Sequence, residues 1–186
     1  MYDIPEGRRA TKGKSIMNFL SLAEGERVTS ILPMPKNKKE AEGLSLMMVT
    51  KNGTGKKTSA KHFKDVRRSG LIAITLDAGD ELISASFVSK NDEVVIATKE
   101  GQSIHFKESD VREMGRNAAG VRVIRLAEEK GVGDPAGSGK ASKKKGESQG
   151  ADAVISADIV SKDAKNPALF VMGANGYGKK TELSEY

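Results

Sequence analysis

The residues best suited to chemistry in this chain are cations, and they recur beside glycines. Lys56 and Lys57 follow Gly53, and Lys179 and Lys180 follow Gly176. Arg8, Arg9 and Lys12 precede Gly13, Arg67 and Arg68 precede Gly70, and Arg112 and Arg116 precede Gly120. Repeated cations suit a ligand with repeated anions, such as the phosphates of duplex DNA, where released counterions give affinity without reading bases. An arginine in a glycine-marked loop lets guanidinium and backbone N–H approach one phosphate together. The formal net charge of +6 agrees in sign. Adjacent strand residues face opposite sides, so at most one of Lys56 and Lys57 can meet such a surface, while the other covers apolar surface with its stem.

Other chemistries lack material. With no cysteine there is no disulfide framework and no thiolate metal site, and His62 and His105 are the only histidines. Paired carboxylates and a nucleophile–base couple are not found converging on one site. The acidic turn of Asp77, Asp80 and Glu81 reads as solvated, not as a cation site. Gly53-Thr54-Gly55-Lys56-Lys57-Thr58 lacks the glycine spacing and following helix of a nucleotide-phosphate loop. Five phenylalanines, three tyrosines and no tryptophan leave few platforms for stacking single-stranded bases, which favours a duplex.

The elements that must carry these cations are repeats. Gly53, Gly101 and Gly176 each close a short apolar run: 44–50, 93–98 and 168–172. Gly13, Gly70 and Gly120 open a second apolar run, and Leu22-Ala23-Glu24-Gly25-Glu26 returns as Leu76-Asp77-Ala78-Gly79-Asp80. These landmarks keep one order at a period near fifty residues, the mark of a repeat architecture. The step from Gly101 to Gly176 is longer because 130–150 reads KGVGDPAGSGKASKKKGESQG, a composition that cannot offset the entropy of ordering, and it is expected to be a flexible surface insertion.

Each run is rich in strand formers and stops at a turn signal, so each should fold back as an antiparallel hairpin; the Asn-Gly pairs suggest type I′ turns. Segments 25–32 and 80–88 add another strand per repeat, and 71–76 and 121–126 one more. Four short strands per fifty residues is the arithmetic of an all-β propeller blade. Only 59–67 and 108–114 suit brief helical turns. Phe63, Phe87, Phe106 and Phe170 are expected in the core, and His105 half-buried on a strand.

Several of these segments resemble one known family. Ile4-Pro5-Glu6-Gly7-Arg8-Arg9-Ala10-Thr11-Lys12-Gly13 followed by Ile16-Met17-Asn18-Phe19-Leu20 is similar to the C-terminal domain of the DNA gyrase A subunit. So are Arg67-Arg68-Ser69-Gly70-Leu71-Ile72-Ala73-Ile74 and 110–121. The resemblance implies a β-pinwheel, a propeller-like disc whose blades exchange strands, normally with six blades. Residues 1–186 would then form a partial disc of about three four-stranded blades, able to bind duplex DNA without sequence preference and bend it around the rim. It implies Arg8, Arg9, Lys12, Lys56, Lys57, Arg67, Arg68, Arg112, Arg116, Lys179 and Lys180 as DNA contacts, and a weaker hairpin where Ile104-His105 replaces Lys-Lys.

The family's glutamine-arginine-glycine box and its nucleophilic tyrosine match nothing here, so Tyr2, Tyr177 and Tyr186 take no such role and this stretch is expected to be non-catalytic. Partners implied are double-stranded DNA, a second gyrase A chain and the gyrase B subunit, in a bacterial cytoplasm and at the nucleoid. No cofactor is implied for this stretch; ATP and Mg2+ serve elsewhere in the intact enzyme. Two alternatives stand beside this reading: the A-type subunit of topoisomerase IV, and a protein-interaction propeller with a basic rim.

Overall fold

A computed structural model describes residues 7–10, 12–20, 22–34, 42–64, 70–126 and 152–185. The insertion expected at 130–150 lies outside these residues, as do Tyr2 and Tyr186. The described chain is all-β, and its helical structure is confined to short turns such as the 3₁₀ turns Ala60–Phe63 and Glu108–Asp110.

Three hairpins follow one another: β1 (Ser45–Thr50) with β2 (Thr54–Ser59), β4 (Glu93–Thr98) with β5 (Ser103–Lys107), and β8 (Ala168–Met172) with β9 (Gly178–Glu182). Their turns depart from the type I′ expectation. Gly53, Gly101 and Gly176 have φ near +82°, but the residues before them do not have positive φ. The Gly53 N–H donates to the Thr50 carbonyl at 3.1 Å, and the Gly101 N–H to the Thr98 carbonyl at 3.0 Å. This is a type I turn followed by a left-handed glycine, so the glycine alone supplies the unusual backbone.

The remaining strands knit the hairpins together. β3 (Leu82–Val88) pairs with β1, and β7 (Val154–Val160) pairs with β4, each antiparallel. The two ladders share a register: Val49 opposes Ser84 and Ala97 opposes Ser156, and both slip by one residue at the next position. β6 (Val121–Arg122) leaves the second hairpin and returns to pair with β2 of the first. The sheets are therefore β3-β1-β2-β6, β5-β4-β7 and β8-β9. That return is strand exchange between units, as the resemblance implied.

A carboxylate pins the end of each outer strand. Asp80 accepts from the Asn52 N–H, and Asp152 accepts from the Glu100 N–H, both at 2.9 Å. Burial pushes the Asp152 carboxyl up, yet the Glu100 and Ala153 N–H donors and the charge of Lys99 hold it below its ordinary value. The core between the first two sheets is Met47, Val49, Val88, Val94, Ile96, Val111, Val154 and Ala157. Ser84 on β3 donates to the Ala157 carbonyl on β7 at 2.8 Å, stitching the sheets at that core.

Two expectations fail for one reason. Segments 25–32 and 71–76, read as strands, form no ladder, because the described residues hold no hairpin placed to accept them. Phe170, read as core, is 62% exposed, since β8 and β9 form a sheet of only two strands. Phe63, Phe87 and Phe106 are half-buried, and His105 is exposed, with its Nε2 2.9 Å from Glu93 Oε2.

Gly120 marks a close backbone crossing. Its φ is +111°, and a Cβ there would lie 2.7 Å from the Gly55 carbonyl oxygen. Gly120→Ala is expected to cost about 3 kcal/mol through backbone strain and separation of β6 from β2. Urea denaturation should show a lower midpoint with an unchanged slope.

Candidate nucleic-acid interface

Residues 111–126 run along the outer edge of β2 and form the last layer of the first sheet. The segment joins β2 at its far end, where the Met114 N–H donates to the Lys57 carbonyl at 2.8 Å. It ends at the hairpin turn, where Val121 opposes Gly55, Arg122 opposes Thr54, and the Val123 N–H donates to the Gly53 carbonyl at 2.9 Å. Gly55 is required here, because a Cβ would strike the Val123 side chain at 2.4 Å. Val111 is buried in the core, and Val121, Val123, Ile124 and Leu126 pack against it.

Anchoring the apolar side chains turns the arginines outward. Arg112, Arg122 and Arg125 are exposed, and Arg116 is half-buried. The acids nearby have other engagements: Asp110 accepts from the Lys107 N–H at 3.3 Å, and Glu113 accepts from the Ser45 hydroxyl at 3.1 Å. The three exposed guanidinium groups of this segment can meet phosphates, each offering a fork matched to phosphate oxygens.

Of the residues expected as contacts, the structure leaves some at the surface and buries others. Arg112 and Arg116 stand on this edge. Arg8, Arg9 and Lys12 are exposed on the first described segments, and Lys179 and Lys180 are exposed on β9. Arg67 and Arg68 lie outside the described residues. Lys56 is a correction: it is fully buried, and its Nζ donates to the Ala73 carbonyl at 2.6 Å and to the Arg116 carbonyl. Burial pulls its pKa below the usual lysine value. Lys57 is corrected as well. Its Nζ, nearly buried, pairs with the Glu108 carboxylate and donates to the Glu108 carbonyl at 2.9 Å. Both lysines are spent inside the fold, tying β2 to the loops that cross it.

Arg122 and Arg125 were not singled out from sequence. Their signal was present: arginine between apolar residues in Val121-Arg122-Val123-Ile124-Arg125-Leu126 marks outward positions on a half-buried strand.

Comparison with known proteins bears on the whole chain. The family model described as "DNA gyrase C-terminal domain, beta-propeller" matches residues 1–33, 44–89, 92–131 and 168–186. The DNA gyrase A protein of Escherichia coli (strain K12) is 38% identical over all 186 residues, which span 18% of that protein's length. Among solved structures, the C-terminal domain of DNA topoisomerase IV superposes with a TM-score of 0.72 at 25% identity, over 94% of this chain and 46% of that one. The DNA gyrase A C-terminal domain superposes with a TM-score of 0.67 at 26% identity, over 94% and 48%. A family match over most of the chain, on an all-β fold that superposes on those domains, places it: the chain belongs to the DNA gyrase C-terminal domain family of β-propellers.

Proposed function

We propose that this chain is a duplex-DNA-binding and DNA-bending module of the gyrase A type in a type II topoisomerase, acting without sequence preference. The observation that carries this reading is the edge formed by residues 111–126, where apolar anchors are buried and Arg112, Arg122 and Arg125 are turned to solvent. An exposed edge lined with arginines offers phosphate contacts to a duplex bent along it. Bending a site of 20–30 base pairs costs on the order of 1–6 kcal/mol, which added phosphate contacts offset. In an intact enzyme the module would present a DNA segment to a cleavage core, beside a second gyrase A chain, while the gyrase B chain hydrolyses ATP with Mg2+. The sequence relatives favour gyrase over topoisomerase IV, whose C-terminal domain shares the fold.

The test is binding to duplexes of increasing length at several salt concentrations, with energy transfer between the duplex ends. Affinity should rise with length, fall steeply with salt, and be accompanied by approach of the two ends. Weak binding that ignores length, on DNA that stays straight, would reject bending and favour a propeller with a protein partner.

A further inference from the structure

The turn that carries Arg116 is held from behind by three donors. It closes with the Ala118 N–H on the Gly115 carbonyl at 3.2 Å, leaving Arg116 and Asn117 at its corners. The next three carbonyls in the chain then accept from residues far upstream. Lys56 Nζ donates to the Arg116 carbonyl, the Thr75 hydroxyl to the Asn117 carbonyl at 3.0 Å, and the Thr75 N–H to the Ala118 carbonyl at 3.3 Å. Lys56 Nζ also reaches the Ala73 carbonyl at 2.6 Å, so one ammonium ties the segment before the acidic turn to the Arg116 turn.

Peptide groups are planar, so a held carbonyl holds its whole plane. The Gly115 and Arg116 carbonyls belong to the planes on either side of the Arg116 Cα, and both are engaged. The direction in which the arginine leaves the backbone is thereby set. Its side chain is half-buried, and no carboxylate among the described residues pairs with it. The ammonium behind it is not needed to fill space. Ile104 holds the place of Lys56 in the second hairpin, where an apolar side chain serves, and Lys179 holds it in the third, where it is exposed. Burying a cation costs desolvation that an apolar residue avoids, so Lys56 calls for a role that packing does not supply.

We infer that Lys56 is a positioning residue for DNA, which presents Arg116 to a phosphate from inside the fold, with Thr75 as its co-donor. The inference rests on the proposed DNA-binding reading and adds to it a residue that never touches the duplex. A guanidinium already held in place loses less freedom when it meets a phosphate, so the gain lies in fit and not in charge. Two quantities then come apart. The salt slope counts the cations at the duplex, whereas affinity at fixed salt also depends on how well each is placed.

A double-mutant cycle on a long duplex tests this. Arg116→Ala should weaken binding about fivefold and reduce the slope of log affinity against log salt by about 1. Lys56→Met, which keeps the stem and removes the donor, should weaken binding about threefold at an unchanged slope. Lys56→Met/Arg116→Ala should bind as Arg116→Ala does, in place of the roughly fifteenfold loss of independent sites. The loss of stability caused by Lys56→Met should be the same in both backgrounds, because its contacts are to backbone carbonyls. Thr75→Val, at an exposed position, keeps the test open if Lys56→Met folds poorly. It removes the hydroxyl donor alone and should weaken binding about twofold, an effect that Arg116→Ala abolishes. Losses that multiply in the double variants overturn the inference, as does a Lys56→Met chain that binds like the parent. A slope reduced by about 1 in Lys56→Met overturns it too, since the lysine itself would then meet a phosphate. A parent that binds without length or salt dependence rejects the proposed function and this inference with it. A parent that binds and bends DNA beside variants that match it rejects the inference alone.

Discussion

Replacing Lys56 by alanine is expected to lower the stability of the folded chain by about 4 kcal/mol while leaving the salt dependence of DNA binding unchanged. Two costs add. The Ala73 and Arg116 carbonyls lose a buried donor, at about 1–3 kcal/mol each for an unsatisfied group. The lysine stem, fully enclosed, leaves a void. Lys56→Met keeps the stem and removes a buried charge, so its cost should be about half as large. The pH dependence identifies the cause. The folded pKa of Lys56 lies below its ordinary 10.5, so in the window between the two values the unfolded chain holds a proton that the folded chain has released. Its contribution to stability must rise with pH through that window, because the cost of burying the charge, fully present at lower pH, is being relieved. Denaturation from neutral pH to 10.5 should show this rise in the parent and lose it in Lys56→Met. Unaltered stability together with a shallower salt slope would return Lys56 to the DNA surface.

Lys56 also marks where the sequence stopped being legible. The hairpins, the repeat order and the all-β class could be read from Gly53, Gly101 and Gly176, because a left-handed glycine after an apolar run is a local signal. Strand exchange at β6 was not readable from these residues, since pairing of Arg122 with Thr54 spans the whole second hairpin and leaves no local trace. Without that pairing Lys56 reads as an exposed cation after a turn. With it, the loop through Arg116 closes over the ammonium. The same long-range fact hid Arg122 and Arg125, whose outward direction follows from what Val121 and Val123 pack against. Position in the repeat is likewise a poor guide to environment. Lys56, Ile104 and Lys179 hold equivalent places, yet they are buried, half-buried and exposed, according to how many strands cover each hairpin.

The edge itself is open to a direct test. Arg112→Ala/Arg122→Ala/Arg125→Ala should weaken binding to a long duplex by about 100-fold at fixed salt and reduce the slope of log affinity against log salt by about 3. These values take each arginine as neutralising one phosphate. All three side chains are exposed, so the change in folding stability should stay within about 0.5 kcal/mol per site. A loss of three charges anywhere lowers attraction to DNA, and the control must match that change. Lys90, Lys162 and Lys165 are exposed on turns outside residues 111–126, so replacing them with alanine removes the same charge. That variant should lose less than about threefold in affinity and keep most of the salt slope. Equal losses in both variants would mean that DNA responds to net charge alone, and the edge would have no special place in the complex. Unequal losses, with the ends of the duplex no longer brought together in the arginine variant, would tie the bend to this edge. The arginines carry the bend only if phosphates reach them after the duplex curves. The deficit between the two variants should therefore widen as the duplex is lengthened, and vanish on duplexes too short to bend.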